Sequence, residues 1–387
     1  MSSGRGRTNV LIAGGGVAAL EAMVALRSLA GDRVDVGLIA PDYDFFYRPL
    51  SVAEPFGAGQ AHRFNLRSLA QGCGAWHALG SLVAVDGERR SVRTGQGATF
   101  GYDVLLVAVG ARPREAVPGA LTFRGQPDVP AFRALLRDLD EGLVQRVVFA
   151  LPGGVTWPLP LYELALLTAD HLAGTGNTLA ELAVVTPEDA PLGLVDGEAS
   201  KAVQDQLDSH GIELVTRAYP AAFAEGELRL VPGTSIAADR VVSLPRLRGV
   251  PLAGVPQDAD FFIPTDETGL VSGLSDVYAA GDITTFPIKQ GGLAAQQADA
   301  VAEAIAARAG APVTPRPFAP VLRGLLLTGS LPLYVRAELS GGRGESSVAA
   351  NDALWWPPGK IAARHLAPYL ARYAGLAYSP TAAESLL

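Results

Sequence analysis

The residues of this chain whose types and spacing suit chemistry are few, and most of them are suited to binding rather than reacting. In "TNVLIAGGGVAALEAMVALR" an apolar run, Val10 to Ala13, leads to Gly14, Gly16 and Ala19 at G-x-G-x-x-A spacing. A helical pattern follows, with Leu20, Met23, Val24 and Ala25 apolar. Glycines there let the chain turn tightly and bring backbone N–H groups, those of Val17 and Ala18 included, against a pyrophosphate, whose charge a helix N-terminus favours. With a strand before it and a helix behind it, the stretch reads as a dinucleotide turn. Reactive side chains are scarce. Cys73 is the only cysteine, which excludes an intrachain disulfide, a C-x-x-C pair and a thiolate zinc cluster; as a lone thiol it reads as buried or idle. His62, His77, His171, His210 and His365 show no i, i+4 pair or other ligand spacing, so no metal is expected. Lysine occurs only at Lys201, Lys289 and Lys360, so each one near a motif deserves notice.

The elements that must position these groups are legible in outline. The second strand, "RVDVGLIA", should end in an acid for a ribose; it ends at Ala40 and Pro41, leaving Asp42 to substitute. "YDVLLVAVGARP" is a buried strand running into Ala108, Val109 and Gly110. "LSDVYAAGDITTFPIKQGGLAAQQADAVAEAIA" is a buried strand ending at Gly281 and Asp282, and a helix beginning at Gly291 and Gly292 follows it.

Bulk properties set the outer bounds. A chain of 387 residues, 49% hydrophobic and 18% charged, buries a large core and divides into two or three domains. A net charge of -8 offers no general attraction to nucleic acid. The amino terminus enters a strand with no cleavable apolar segment, and no apolar run reaches the roughly 18 residues of a spanning helix. The expectation is a cytoplasmic protein with at most peripheral membrane contact.

The Ala108–Val109–Gly110 strand resembles the A-T-G strand of flavoproteins with two dinucleotide domains, and Gly281–Asp282 resembles their G-D motif, whose aspartate accepts hydrogen bonds from the ribityl chain. The resemblance implies FAD. It also implies that the helix beginning at Gly291 and Gly292, with Gln290 before it and Leu293 in its first turn, aims its N-terminus at the flavin pyrimidine edge, where negative charge collects on reduction. Lys289 would add a cation there; a solvated loop lysine is the alternative. "PDYDFFYRPLSVAEPF", "VVTPEDAPLG" and "FPIKQGG" together resemble the sulfide:quinone oxidoreductase group and the type II NADH dehydrogenases, within the pyridine nucleotide-disulfide oxidoreductase superfamily. That likeness spans roughly residues 8 to 370 and implies that Phe45, Phe46, Tyr47, Arg48 and Pro49 sit beside FAD.

One stretch departs from this pattern. "LPGGVTWPLPLYELA" stands where the second, nicotinamide-binding turn belongs, and Tyr162-Glu163-Leu164-Ala165 resembles the opening of the helix behind that turn in type II NADH dehydrogenases. Counting back from Glu163, the last glycine of the turn is replaced by Leu161, preceded by Pro160, Leu159, Pro158 and Trp157. A leucine side chain holds backbone away from pyrophosphate, and prolines lack the N–H that would bind it. Nicotinamide in the usual place is disfavoured. The cysteines that sulfide:quinone oxidoreductases carry are also missing, so their persulfide route is excluded. Trp157, Pro158 and Tyr162 are then expected to wall the substrate side of the flavin.

The expected fold class is α/β: two Rossmann-like dinucleotide-binding domains, the FAD domain from 1–115 and 236–310, the second from 116–235, and a small C-terminal segment, 311–387. If that segment is helical from Gly359, Lys360, Arg364 and Arg372 fall on one side and Leu366, Leu370, Tyr373 and Leu376 on the other, with a kink at Pro368. Such a helix either lies on a membrane behind Trp355 and Trp356 or packs on the flavin domain or a second subunit in a homo-oligomer. The expected function is FAD-dependent electron or hydride transfer through flavin N5, to or from a quinone or another small redox molecule, without redox cysteines; Lys289 is the single candidate for a catalytic group. An NAD(P)H-dependent flavin dehydrogenase and a non-enzymatic FAD-binding regulatory protein are the alternatives.

Overall fold

The computed structural model describes residues 6–195, 197–340 and 343–373. Two five-stranded parallel sheets organise them. In the first, Thr8–Ala13 lies between Val34–Ala40 and Val104–Val107, with Trp76–Leu79 and Val277–Ala279 at the edges. In the second, Arg146–Ala150 lies between Glu181–Val185 and Arg240–Ser243, with Glu213–Val215 and Leu121–Thr122 outside them. The central strands are buried along nearly their whole length because helices cover one face and the antiparallel excursion with its flanking loops covers the other, which is why they read as unbroken apolar runs. Each sheet winds the same way: central strand, helix, neighbouring strand, third strand, a three-stranded antiparallel excursion, and a return to the other side of the central strand.

The return to the first sheet falls later than expected. Arg240–Ser243 pairs with Arg146–Ala150, so the second unit runs past residue 236, because Val241 and Val242 are buried in that sheet. The crossing is made instead by a two-stranded ladder, Arg112–Arg114 against Arg246–Arg248.

The C-terminal segment forms three antiparallel strands, Val321–Leu326, Leu333–Ser340 and Arg343–Ala350, then a strap and the helix Leu366–Tyr373. Leu322, Leu326, Leu333 and Val335 join the core of the second unit, whereas Ile361, Ala363, Leu366 and Leu370 join that of the first. Each large apolar side chain buried this way contributes about 1.5–3 kcal/mol. The segment therefore ties both units together. The amphipathic helix expected from Gly359 is corrected in two respects. Residues 359–365 are not helical, and Lys360 is buried rather than on a polar face. Pro368 falls in the first turn of the short helix, where its missing N–H has no partner to lose. Leu376 lies outside the described residues.

Candidate functional site

One cavity of about 800 Å³ runs between the two units and the C-terminal segment. Its floor at one place is the first turn. Gly14 has φ +137°, and a Cβ on it would stand 2.1 Å from the Ala108 carbonyl oxygen, so only glycine closes this turn. Gly16 ends the turn as the N-cap of the helix Val17–Ala30, with open space where a side chain would be. Of the residues expected to bind the dinucleotide, Gly14, Gly16, Val17, Ala18, Asp42, Arg48, Pro49, Ala108, Val109, Gly110, Gly281, Asp282, Lys289, Gln290 and Gly291 all line this cavity, as do Phe45 and Phe46. Ala19, Gly292 and Leu293 are buried in their helices and are not part of the lining, and Tyr47 turns away to accept the Ile361 N–H at 2.9 Å.

Asp282 is the polar focus of this region. Burial raises its pKa, and the charges of Lys289 and Arg48 oppose that rise; no hydrogen-bond donor to its carboxylate is found among the described residues. A half-buried acceptor that faces the cavity without a donor, beside a turn that leaves room for phosphate, fits the hydroxyl-rich chain of FAD. Lys289 is less free than expected. Its ammonium donates to the carbonyls of Thr284 and Phe286 and lies 4.0 Å above the Phe262 ring, and burial lowers its pKa to about 8. Gln290 caps the helix Gly291–Arg308, accepting the Leu293 N–H at 2.8 Å while donating to the Arg323 carbonyl. Cys73 is buried, its thiol pKa raised by that burial.

The second turn, Leu151 to Pro158, is longer than the first and closed. Gly153 spends its carbonyl on Arg246 at 2.6 Å, and Thr156 donates to the Pro287 carbonyl at 2.7 Å, stitching the turn to the other unit. The helix Leu159–Thr175 opens with Pro160 at its second position, and Leu161 is wholly buried with its N–H given to the Pro158 carbonyl. At the start of this helix Pro158 and Pro160 carry no N–H and that of Leu161 is taken, which leaves an anion there with the Leu159 N–H alone. Glu188, just past the second strand where an acid would take a ribose, accepts instead from Tyr162, Thr186 and the Gly193 N–H. Two expected wall residues are therefore corrected: Tyr162 is wholly buried in the second unit, where Glu188 draws it inward, and Pro158 does not reach the cavity. Trp157 does line it, together with Leu159, Pro160 and Glu163.

The sequence reading missed a pair of residues in that wall. Lys360, on the C-terminal strap, is ion-paired with Glu163, and both are buried. Glu163 also accepts the Leu327 N–H at 2.9 Å, and Lys360 donates to the Leu325 carbonyl at 3.0 Å. Burial pushes the Glu163 pKa up and the Lys360 pKa down, each toward its neutral form, and their mutual attraction opposes both shifts. Such a pair can pass a proton in either direction. The rarity of lysine in the chain was the one available signal.

The comparisons with known proteins agree with this geometry. The family model of the pyridine nucleotide-disulphide oxidoreductases matches residues 8–304. An NADH dehydrogenase-like protein of Mycobacterium tuberculosis is 27% identical over 298 residues, 71% of this chain and 72% of that protein. Among solved structures, the sulfide:quinone oxidoreductase of Aquifex aeolicus superposes with a TM-score of 0.78 at 18% identity, covering 89% of this chain and 86% of that one. A ferredoxin reductase of Rhodopseudomonas palustris superposes at 0.64, with 22% identity and 87% and 83% coverage. With the family model spanning most of the chain and a cavity built for FAD, the chain belongs to the pyridine nucleotide-disulphide oxidoreductase family and is an FAD-dependent oxidoreductase.

Proposed function

We propose that this oxidoreductase exchanges two electrons between its FAD and a small quinone-type molecule, without a cysteine relay and without nicotinamide in the second turn. The observation that carries this reading is the buried Glu163–Lys360 pair in the wall of the cavity. Two-electron chemistry at the flavin, which FAD supplies when bound, must be matched by proton movement when the partner is a quinone. Glu163 and Lys360 are placed to hold and release such a proton, since burial favours the neutral form of each. Trp157, Leu159, Pro160, Leu325 and Ile361 give the same wall an apolar face for a flat ring. Asp282, Arg48 and the Gly14–Gly16 turn bind and orient the dinucleotide.

No helix among the described residues is long and apolar enough to cross a membrane.

The likeness to an NADH dehydrogenase-like protein favours a second reading, NADH as donor, and one experiment separates the two. Anaerobic FAD-loaded protein, reduced with dithionite, should be reoxidised by a short-chain quinone with saturation. NADH should reduce it slowly and without saturating at millimolar concentration. Saturable NADH reduction with a micromolar constant makes the NADH reading the better one, and quinone inertness removes the first.

A further inference from the structure

The strap that brings Lys360 to the cavity is held at three points. Lys360 meets Glu163, and the Ile361 N–H donates to Tyr47 at 2.9 Å. The third point is of a different kind. Glu21, wholly buried in the helix Val17–Ala30, accepts the His365 N–H at 2.7 Å and the Leu366 N–H as well, which satisfies the start of the C-terminal helix. Asp299, from the helix Gly291–Arg308, lies within hydrogen-bonding reach of the same carboxyl. With both groups ionised, Asp299 Oδ1 is buried and has no donor among the described residues. Two carboxylates in contact away from water do not both stay charged, and one proton between them supplies the missing donor.

We infer that Glu21 and Asp299 share a proton, and that this proton clamps the C-terminal strap and so positions Lys360 in the cavity. The charges around the pair balance only with the proton present. Glu303, on the helix of Asp299, is ion-paired with Arg316 from the stretch before Val321–Leu326 and lies 3.5 Å from Arg364 of the strap. Two guanidinium groups thus face Glu303 and one shared anion. The His365 ring is 3.8 Å from Asp299 Oδ1, and burial lowers its pKa, so it adds no charge above neutrality. Burial and Glu21 together raise the Asp299 pKa to about 8.

The direction of the pH effect follows. In a released strap water reaches Asp299 and relieves the burial that is the largest cause of its raised pKa, so the clamped state binds more protons in the window just below about 8. Clamping therefore weakens as pH rises through this window, by up to about tenfold per unit, and levels off above about 8. Glu21 and Asp299 act through the strap, as positioning residues for Lys360.

Amide hydrogen exchange of the FAD-loaded protein between pH 7 and 9, corrected for intrinsic rates, tests this at the two N–H groups that Glu21 accepts. Protection of His365 and Leu366 should fall by up to about tenfold from pH 7 to 8 and little further by pH 9. In Asp299→Asn the neutral amide donates to Glu21 at every pH. Protection should then be flat and, at pH 9, about tenfold or more above that of the unmodified protein. A merely structural role for Asp299 predicts an Asn variant that is equal or worse. A flat profile in the unmodified protein, or weaker protection in Asp299→Asn at pH 9, overturns the inference. A measurement that needs no variant is the infrared band of a protonated carboxylic acid. It should disappear as pH rises through about 8, and its absence already at pH 6 overturns the inference too. Neither readout depends on the electron donor or acceptor, so this inference and the proposed function fail separately.

Discussion

The two turn-and-helix units answer to the same plan and differ in what their openings admit. In each, a buried parallel strand leads to a turn and a helix, and Gly16 and Pro158 hold the equivalent place just before the first helical residue. Counting on from there pairs Ala18 with Pro160, Ala19 with Leu161 and Glu21 with Glu163. Both glutamates are buried and both grip the C-terminal segment, one through backbone N–H groups and the other through the Lys360 ammonium. The sheet and helix of a dinucleotide unit are held by packing, which tolerates a change of ligand. The site rests on a few backbone donors and a small residue, and a handful of substitutions removes them.

The comparison breaks most sharply if the two turns respond alike to the same methyl group. Gly14→Ala adds a Cβ onto the Ala108 carbonyl in a left-handed conformation and should cost about 3 kcal/mol or more, yielding protein without FAD. Gly153 lies outside the left-handed region, and its Cβ would make ordinary 3.7 Å contacts with Arg246 and Tyr219. Gly153→Ala should leave FAD content unchanged and stability within about 0.5 kcal/mol. Flavin absorbance per chain and thermal unfolding measure both, and loss of flavin in the Gly153 variant would mean that the second turn is also part of the FAD site.

The equivalent glutamates sharpen the comparison at a smaller scale. Lys360→Met leaves Glu163 buried without its cation and should cost about 3–5 kcal/mol, most of which Lys360→Met combined with Glu163→Gln should restore. Glu21→Gln still accepts one of its two N–H groups and should cost about 2 kcal/mol. Denaturant unfolding of the FAD-loaded variants gives the order, and equal losses at the two positions would deny Lys360–Glu163 its standing as a desolvated ion pair.

What was legible in the sequence divides along the same line. The strands and the first turn follow from local pattern, because apolar runs and the Gly14–Gly16 spacing specify backbone directly. The closed second turn was also legible, since proline at 158 and 160 and leucine at 161 remove donors and space whatever surrounds them. Tyr162 was misplaced because its direction depends on Glu188, 26 residues away. Lys360 was misplaced because periodicity alone made a helix of a stretch that Glu163, Tyr47 and Glu21 hold in an irregular, bent path. Its partner is 197 residues away, and no local pattern in the sequence marks a pairing across that separation.

The smallest effect expected is also the one that asks most of the comparison. Pro160→Ala returns a single N–H to the first turn of the second helix, at the place that Ala18 holds in the first. One backbone donor to a charged oxygen is worth about 1.5–3 kcal/mol when the anion can reach it. Here Leu161 is wholly buried in the place of the small residue, its N–H is given to the Pro158 carbonyl, and Glu188 is committed to Tyr162, so a pyrophosphate gains a donor without the close approach that a small residue allows. The rate of flavin reduction by NADH should accordingly change by less than about threefold and remain unsaturated at millimolar concentration, a shift under about 1 kcal/mol. Stopped-flow reduction of Pro160→Ala beside the unmodified protein measures it. A micromolar, saturable NADH reaction in the variant would show that one proline, rather than a rebuilt turn, separates the two halves, and the second unit would then be a nicotinamide site held shut by a single residue.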